Sequence, residues 1–296
     1  MANVAKGFHK LFNNFRTPDG TDIEELFLDH ADRVSSPLAL AMLAQMGLTE
    51  NTNTPFTLFE NAAGVGVVAH ILQRTVKAEV LGKSKIICGD SSEQVLGFAT
   101  NRSEKEKWVN TEVKKIDAEK TGFDNGTFTH VATNLGFHVI PDSESALNDA
   151  IRILKPGGVL GLTTVHRDVA WLPEFREAFK SFPFEAPLEM GLQTTTWGNW
   201  SDVNWIQKTL EEKGLEEVNV EVFAWLNRMD SVDYFLTSYG MILDIVMDSC
   251  WSKELRKQHP REEVHGLVKA FLEKKYGDKG WNASWIGVVA TGRVPI

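Results

Sequence analysis

The chain has 296 residues, 43% apolar and 24% charged, enough to bury a substantial core and to form one large domain or a domain with a lid. Its formal charge of −9 repels phosphate backbones and anionic lipid, which argues against nucleic acid as a partner. Cys88 and Cys250 lie far apart without a CxxC or Cys/His cluster, so neither a disulfide framework nor a metal site is expected, and a reducing, cytoplasmic setting is.

The N-terminal "MANVAKGFHKLFNNF" lacks the continuous apolar stretch and cleavage site of a signal peptide. "IEELFLDHADRV" and "PLALAMLAQMGL" space apolar residues at three and four, predicting helices, with Pro37 in the first turn of the second. The latter is too short to cross a bilayer, and no membrane association is expected. "PFTLFE" is a strand that turns through two glycines into the helix "VGVVAHILQRTV". "SKIICGD" and "SSEQVLGFAT" repeat the form, the serines and glutamate being cap residues. "TEVKKID" and "FTHVATNL" read as strands around a loop with the turn Asp124-Asn125-Gly126.

"SESALNDAIRILKPGGVLGLTTVH" supplies a capped helix, a Pro-Gly-Gly stop and a β-prone run. Strand and helix alternate about five times, which predicts an α/β fold with a parallel sheet covered on both faces. Beyond His166 the pattern loosens: "WLPEFREAFKSF" and "DVNWIQKTLEEKGL" read as helices and "EEVNVEVFAWL" as a strand. Two further helical runs then precede the last strand, "SWIGVVATGRV". The expected organisation is a single domain, with residues 1–50 a helical cap, 51–166 the ligand-binding core and 167–296 lid helices and last strands.

Ligands bind such sheets at the carboxyl ends of the strands. Gly64-Val65-Gly66-Val67-Val68-Ala69 fits the G-x-G-x-x-A dinucleotide pattern, with Asp90 about where a ribose-binding acid would lie, although such turns also occur where strand and helix merely pack closely. Glu60 favours another ligand. A strand-end carboxylate four residues before Gly64 would repel a pyrophosphate and attract a sulfonium or ammonium group.

In order, "FENAAGVGVVA", "CGDSSEQVL", "KKIDAEKTGFDNGTFTHV", "NLGFHVIPD", "ALNDAIRILKPGGVLGLTT" and "IGVVATGRV" resemble class I S-adenosylmethionine-dependent methyltransferases. The likeness is to the fungal small-molecule (secondary-metabolite) group that includes the gliotoxin bis-thiomethyltransferase, and it runs from about Leu28 to the end. It implies a Rossmann-like, doubly wound, mostly parallel seven-stranded sheet with an antiparallel last strand. The cofactor would be S-adenosyl-L-methionine and the activity methyl transfer to an O, N or S atom of a small molecule.

By this resemblance Asn61, Ala62, Gly64 and Gly66 form the turn under the methionyl group, and Glu60 faces its ammonium. Asp90 accepts the ribose hydroxyls. Ser91 or Ser92 lines the adenine, both also being good helix caps. Asp117 takes the adenine amino group and the Ala118 N–H a ring nitrogen, though Asp117 would also be ordinary as a surface acid. Asn134, Leu135 and Gly136 lie against the methionyl group and the acceptor; "NLGFH" in place of an Asn/Asp-Pro-Pro-aromatic run again argues against nucleic acid.

His138 and His166 follow strands and are candidate general bases, or plain hydrogen-bonding loop residues, while His9, His30 and His70 read as structural or superficial. Trp171, Trp197, Trp200, Trp205 and Trp225 suggest an aromatic or apolar acceptor, with core packing the other account of each. A monomer or homodimer is expected. The other readings are a methyltransferase-like protein without methyl transfer (a cyclase, pericyclase or regulatory binding protein) and a nucleotide-dependent oxidoreductase.

Overall fold

A computed structural model describes residues 23–166, 171–188, 193 and 195–296. The described chain opens with α1 (Ile23–His30), a single π turn (Ala31–Ser35) and α2 (Ser36–Gln45). The core follows as β1 (Thr57–Asn61), α3 (Val67–Thr75), α4 (Ala78–Leu81), β2 (Lys85–Asp90), α5 (Glu93–Glu106), β3 (Thr111–Lys115), β4 (Phe128–Asn134), α6 (Ser143–Arg152) and β5 (Leu154–Val165). The last part is α7 (Trp171–Lys180), α8 (Val203–Glu212), β6 (Glu216–Met229), α9 (Val232–Cys250), α10 (Lys253–Gln258), α11 (Arg261–Tyr276) and β7 (Trp281–Arg293).

The strands form one seven-stranded sheet in the order β3-β2-β1-β4-β5-β7-β6. β1 to β5 pair in parallel, and β7 runs antiparallel to both β5 and β6. This is the doubly wound sheet with an antiparallel last strand that the resemblance implies. The chain winds outward from β1 to β3 and then returns to β4 beside β1, so the reversal of strand order falls between β1 and β4.

Alternation along the central strands divides the core in two. Leu58, Ile86, Cys88, Ala132 and Val159 pack under α2 and α3, whereas Phe59, Val131, Leu160 and Leu162 pack against α6 and α8. A third cluster forms where β6 and β7 extend past the end of β5, joining Trp281 and Trp285 to α7, α9 and α11. A fully buried leucine such as Leu58 contributes about 2 to 5 kcal/mol relative to alanine, so each face is strongly specified.

Two details depart from the sequence pattern. The first helical run does not stop before Pro37 but widens: the Ser36 N–H bonds back five residues to Ala31 O, because proline lacks an N–H and its ring crowds the carbonyl four residues earlier. The Pro-Gly-Gly lies inside β5, not before it. Leu154 pairs with Phe128 and Val159 with His130, so the residues between bulge out of the ladder.

Charged groups fix the α1–α2 segment between the two halves of the molecule. On one side the buried Arg102 of α5 donates to Asp32 (2.9 Å) and Glu106 (3.1 Å). On the other, Asp29 accepts from Arg33 (2.9 Å) and the Tyr234 hydroxyl (2.6 Å), while Arg33 also donates to Asp230 (2.9 Å).

Candidate active site

β1 delivers Glu60 to the carboxyl edge 1% exposed, and its two oxygens accept the N–H groups of Val68 (2.8 Å) and Ala69 (2.9 Å). The N-cap of α3 is Gly66, which has no side chain, so Glu60 takes over the capping task across the turn. Cys88 also donates to it at 3.3 Å. Burial pushes the Glu60 pKa up to about 7, against the lowering effect of these donors and the nearby Arg102. The resemblance implies that Glu60 faces a ligand ammonium; in the structure it is buried behind the turn and holds the backbone N–H groups of α3.

The two glycines of that turn serve different ends. Both have positive φ, but a Cβ on Gly64 would meet open space, whereas one on Gly66 would strike the Trp108 ring at 2.7 Å. Gly64 therefore leaves room for a ligand, and Gly66 leaves room for an indole of this chain. Ala62 (φ 51°) and Leu135 (φ 54°) hold the same left-handed conformation without being glycine. They follow the neighbouring strands β1 and β4, and strain of this kind concentrates at ligand sites. Between them Asn61 is buried, with neither amide atom hydrogen-bonded among the described residues.

Asp90 ends β2 and accepts from the Gly64 N–H (2.9 Å) and, with its other oxygen, from the Ser92 N–H (2.9 Å). Burial raises its pKa and these N–H groups oppose the shift. A carboxylate has about four lone-pair positions, so acceptor capacity remains for a ligand diol. Ser92 is buried as the N-cap of α5, receiving Val95 N–H at 3.5 Å, while Ser91 is exposed beside it. Asp117 is exposed, its carboxylate accepting Glu119 N–H at 2.9 Å, and Ala118 is buried.

At the end of β4 the Asn134 carbonyl oxygen accepts from the Thr163 hydroxyl (2.6 Å), and its amide N–H donates to Ser35 O (3.4 Å). Asn134 thus joins the sheet to the π turn, and Leu135 N–H is held by the Thr163 hydroxyl at 2.9 Å. His138 lies in the turn after β4, 7% exposed, its Nδ1 without a partner among the described residues. Burial lowers its pKa to about 4, keeping it neutral.

His166 follows β5, and its backbone N–H donates to Ile286 O (3.3 Å) beside Trp285. His70 pairs with Glu106 at 2.6 Å, and His9 lies outside the described residues. His30 sits edge-on to Tyr239 with ring centroids 5.7 Å apart, so it is not superficial. Among the described residues no His, Cys, Asp and Glu side chains group to hold a metal.

The tryptophans do not form one wall. Trp197, Trp200 and Trp205 meet edge to face on the α6/α8 side, where Trp200 lies flat on Phe137 at 4.7 Å. Trp171 and Trp225 belong with α7, α9 and the β6–β7 extension. Trp108 and Trp285 were not singled out by motif reading. Their signals are slight: Trp285 stands four residues after Trp281 in a strand, which puts both on one face.

Open space over Gly64, spare acceptor capacity on Asp90 and the Asn61 amide unpaired among the described residues together fit S-adenosylmethionine. The N–H groups at the start of α3 that could receive a pyrophosphate, those of Val68 and Ala69, are already taken by the Glu60 carboxylate.

Residues 44–224 match the model of the ubiE/COQ5 methyltransferase family. The chain is 26% identical to Methyltransferase tpcH of Aspergillus fumigatus, over 92% of this chain and 98% of that one. It is 22% identical to the acetylaranotin bis-thiomethyltransferase of Aspergillus terreus, over 83% and 85%. Among solved structures it resembles Haemonchus contortus phosphoethanolamine N-methyltransferase 2 in complex with S-adenosyl-L-methionine (TM-score 0.55, 17% identity, 98% of this chain and 60% of that one). It also resembles YcgJ of Bacillus subtilis (TM-score 0.53, 12% identity, 88% and 99%). The chain belongs to the ubiE/COQ5 methyltransferase family and is an S-adenosylmethionine-dependent methyltransferase.

Proposed function

We propose that the enzyme methylates an oxygen, nitrogen or sulfur atom of a small, flat or apolar organic molecule of the secondary-metabolite kind. The observation that carries this reading is the aromatic surface of β6, β7 and α9, which begins beside His166, one strand from Asn134. The near full-length likeness to two Aspergillus methyltransferases, one named for thiol methylation, supports it. The two free thiols suit a cytoplasmic place.

When bound, S-adenosylmethionine supplies a methyl group on a positively charged sulfur. Transfer is an in-line displacement that needs alignment and a dry site. Asp90 would hold the ribose, Gly64, Ala62 and Asn61 the methionyl group, and Asp117 with Ala118 the adenine. Ser91 stands at the adenine side. Asn134 and Leu135 would set the edge of the acceptor site by fixing the π turn against β4. Glu60 shapes the turn from behind.

Where the acceptor arrives protonated, His166 is the preferred proton acceptor, since it stands at the start of the aromatic surface. His138 is held neutral and weakly basic by burial and suits hydrogen bonding. The test is a panel of phenols, amines and thiols with S-adenosylmethionine, following S-adenosylhomocysteine and the methylated product. Methylation of at least one heteroatom class is expected. Cofactor binding without turnover on any class, or methylation at carbon, would contradict the reading.

A further inference from the structure

The antiparallel pair β6–β7 carries a row of polar groups without partners among the described residues. Trp225 pairs with Trp285, Asn227 with Ala283 and Met229 with Trp281, and alternation puts all six side chains on the inner face. The outer face, with Val222 and Leu226, is exposed.

Indole N–H groups elsewhere find acceptors: Trp108 donates to Glu106 (2.8 Å), Trp200 to Ser143 (3.0 Å) and Trp251 to Pro187 O (3.0 Å). On this strand pair, Nε1 of Trp225, Trp281 and Trp285 is buried and has no partner among the described residues, whereas the Asn227 amide lies against the Tyr239 hydroxyl. Each of these unpaired indole nitrogens is a donor. A buried donor without an acceptor is costly, and a row of them in one fold implies that the acceptors arrive with a ligand.

The row lies past the carboxyl end of β5, the edge at which such sheets take their ligands. Trp225 and Trp285 stack at 5.6 Å, Trp285 touches Tyr239 at 6.0 Å, and Tyr239 meets His30 next to the π turn at 5.7 Å. Trp225 faces inward yet is only partly buried, as a side chain bordering enclosed space would be.

We propose that Trp225 and Trp285 form the specificity wall for the methyl acceptor: the indoles offer ring faces and edges to a flat molecule, and their unpaired N–H groups bind a carbonyl or phenolate oxygen on it. This rests on the heteroatom-methyltransferase reading and narrows it. Trp281, farther along the row, would reach only a longer acceptor.

The test uses full-length protein saturated with S-adenosylhomocysteine, whose own binding is measured first by calorimetry, so a failure of the cofactor site is seen separately. Two probes of one ring system are then titrated: 4-acetyl-1-naphthol, which carries a carbonyl, and 1-naphthol, which does not. Wild type should bind the carbonyl probe about tenfold more tightly, as expected for one or two added hydrogen bonds.

Trp285→Phe and Trp225→Phe, which keep a ring and remove the N–H, should abolish most of that preference while changing 1-naphthol binding less than about twofold. Trp200→Phe, on the opposite face of the sheet, should keep it. Equal weakening of both probes would reduce the tryptophans to packing and overturn the proposal. An unchanged preference, or no binding of either probe to loaded wild type, would overturn it too. Thermal melts of each variant show whether it is folded, and the two indole variants give separate readings of the same preference should one of them fail to fold.

Discussion

The two ends of the sheet handle buried polar groups in opposite ways. At the β1–β2 end, both Glu60 oxygens and both Asp90 oxygens are already held by backbone N–H groups, and Trp108 fills the space over Gly66. At the β6–β7 end, three indoles are buried with their donors unpaired among the described residues. In the proposed enzyme the first end is pre-organised for the cofactor, and the second draws its polar partners from the substrate. A methyltransferase with one cofactor and a selectable acceptor needs both kinds of construction.

The comparison can be broken in several places. The largest effect is expected at the acceptor end: His166→Ala should lower turnover of a protonated acceptor by roughly 10²- to 10⁴-fold with little change in S-adenosylhomocysteine affinity, read by steady-state kinetics and calorimetry. Equal activity would return the proton to solvent or to His138.

At the cofactor end the glycines should separate. Gly66→Ala combines a left-handed backbone with collision against Trp108 and should cost about 3 kcal/mol of stability. Gly64→Ala should cost about 1 kcal/mol, yet weaken cofactor binding more than it weakens folding. Chemical denaturation beside calorimetry checks both, and identical profiles would erase the distinction drawn between them.

A third line uses pH. Burial lowers His30, His130 and His138 to about 4, below their unfolded value of 6.5. Their stabilisation is therefore complete above pH 6.5 and is lost as pH falls toward 4, by up to about 1.4 kcal/mol per pH unit for each histidine. Glu60 acts with the opposite sign. Raised from 4.5 to about 7, it contributes fully below pH 4.5 and loses that contribution as pH rises through 7. Melting temperatures from pH 4 to 8 should show the acid loss, and His138→Gln should flatten it; an unaltered slope would place His138 in a wetter setting. The smallest effect, about 1 kcal/mol, is expected from Tyr234→Phe, which removes the phenol donor to Asp29 between the π turn and α9.

Much of the fold was legible because alternation and helical spacing are local. "PFTLFE" followed by "VGVVAHIL" encodes a buried strand and an amphipathic helix whatever surrounds them. The π turn was not legible, since the pattern marks Pro37 as a helix start but does not say that the preceding turn widens without breaking.

At the site, the glycine turn and Asp90 were visible as residues, yet their division of labour was not: Gly66 answers to Trp108, 42 positions away in the chain, and Glu60 answers to the amides of α3. Composition marked the tryptophans as notable. Only tertiary packing separates Trp197, Trp200 and Trp205 on one face from Trp225 and Trp285 on the other.

The central claim is that the carboxyl edge of β1 and β2 cradles the methyl donor through Asp90 and the open side of Gly64. A crystal structure with S-adenosylhomocysteine tests it most directly. The account predicts the ribose hydroxyls on Asp90, the methionyl tail over Gly64 and a hydrogen bond on the Asn61 amide. A nucleoside seated elsewhere, with Gly64 still facing empty space and Asn61 still unpaired, would contradict it.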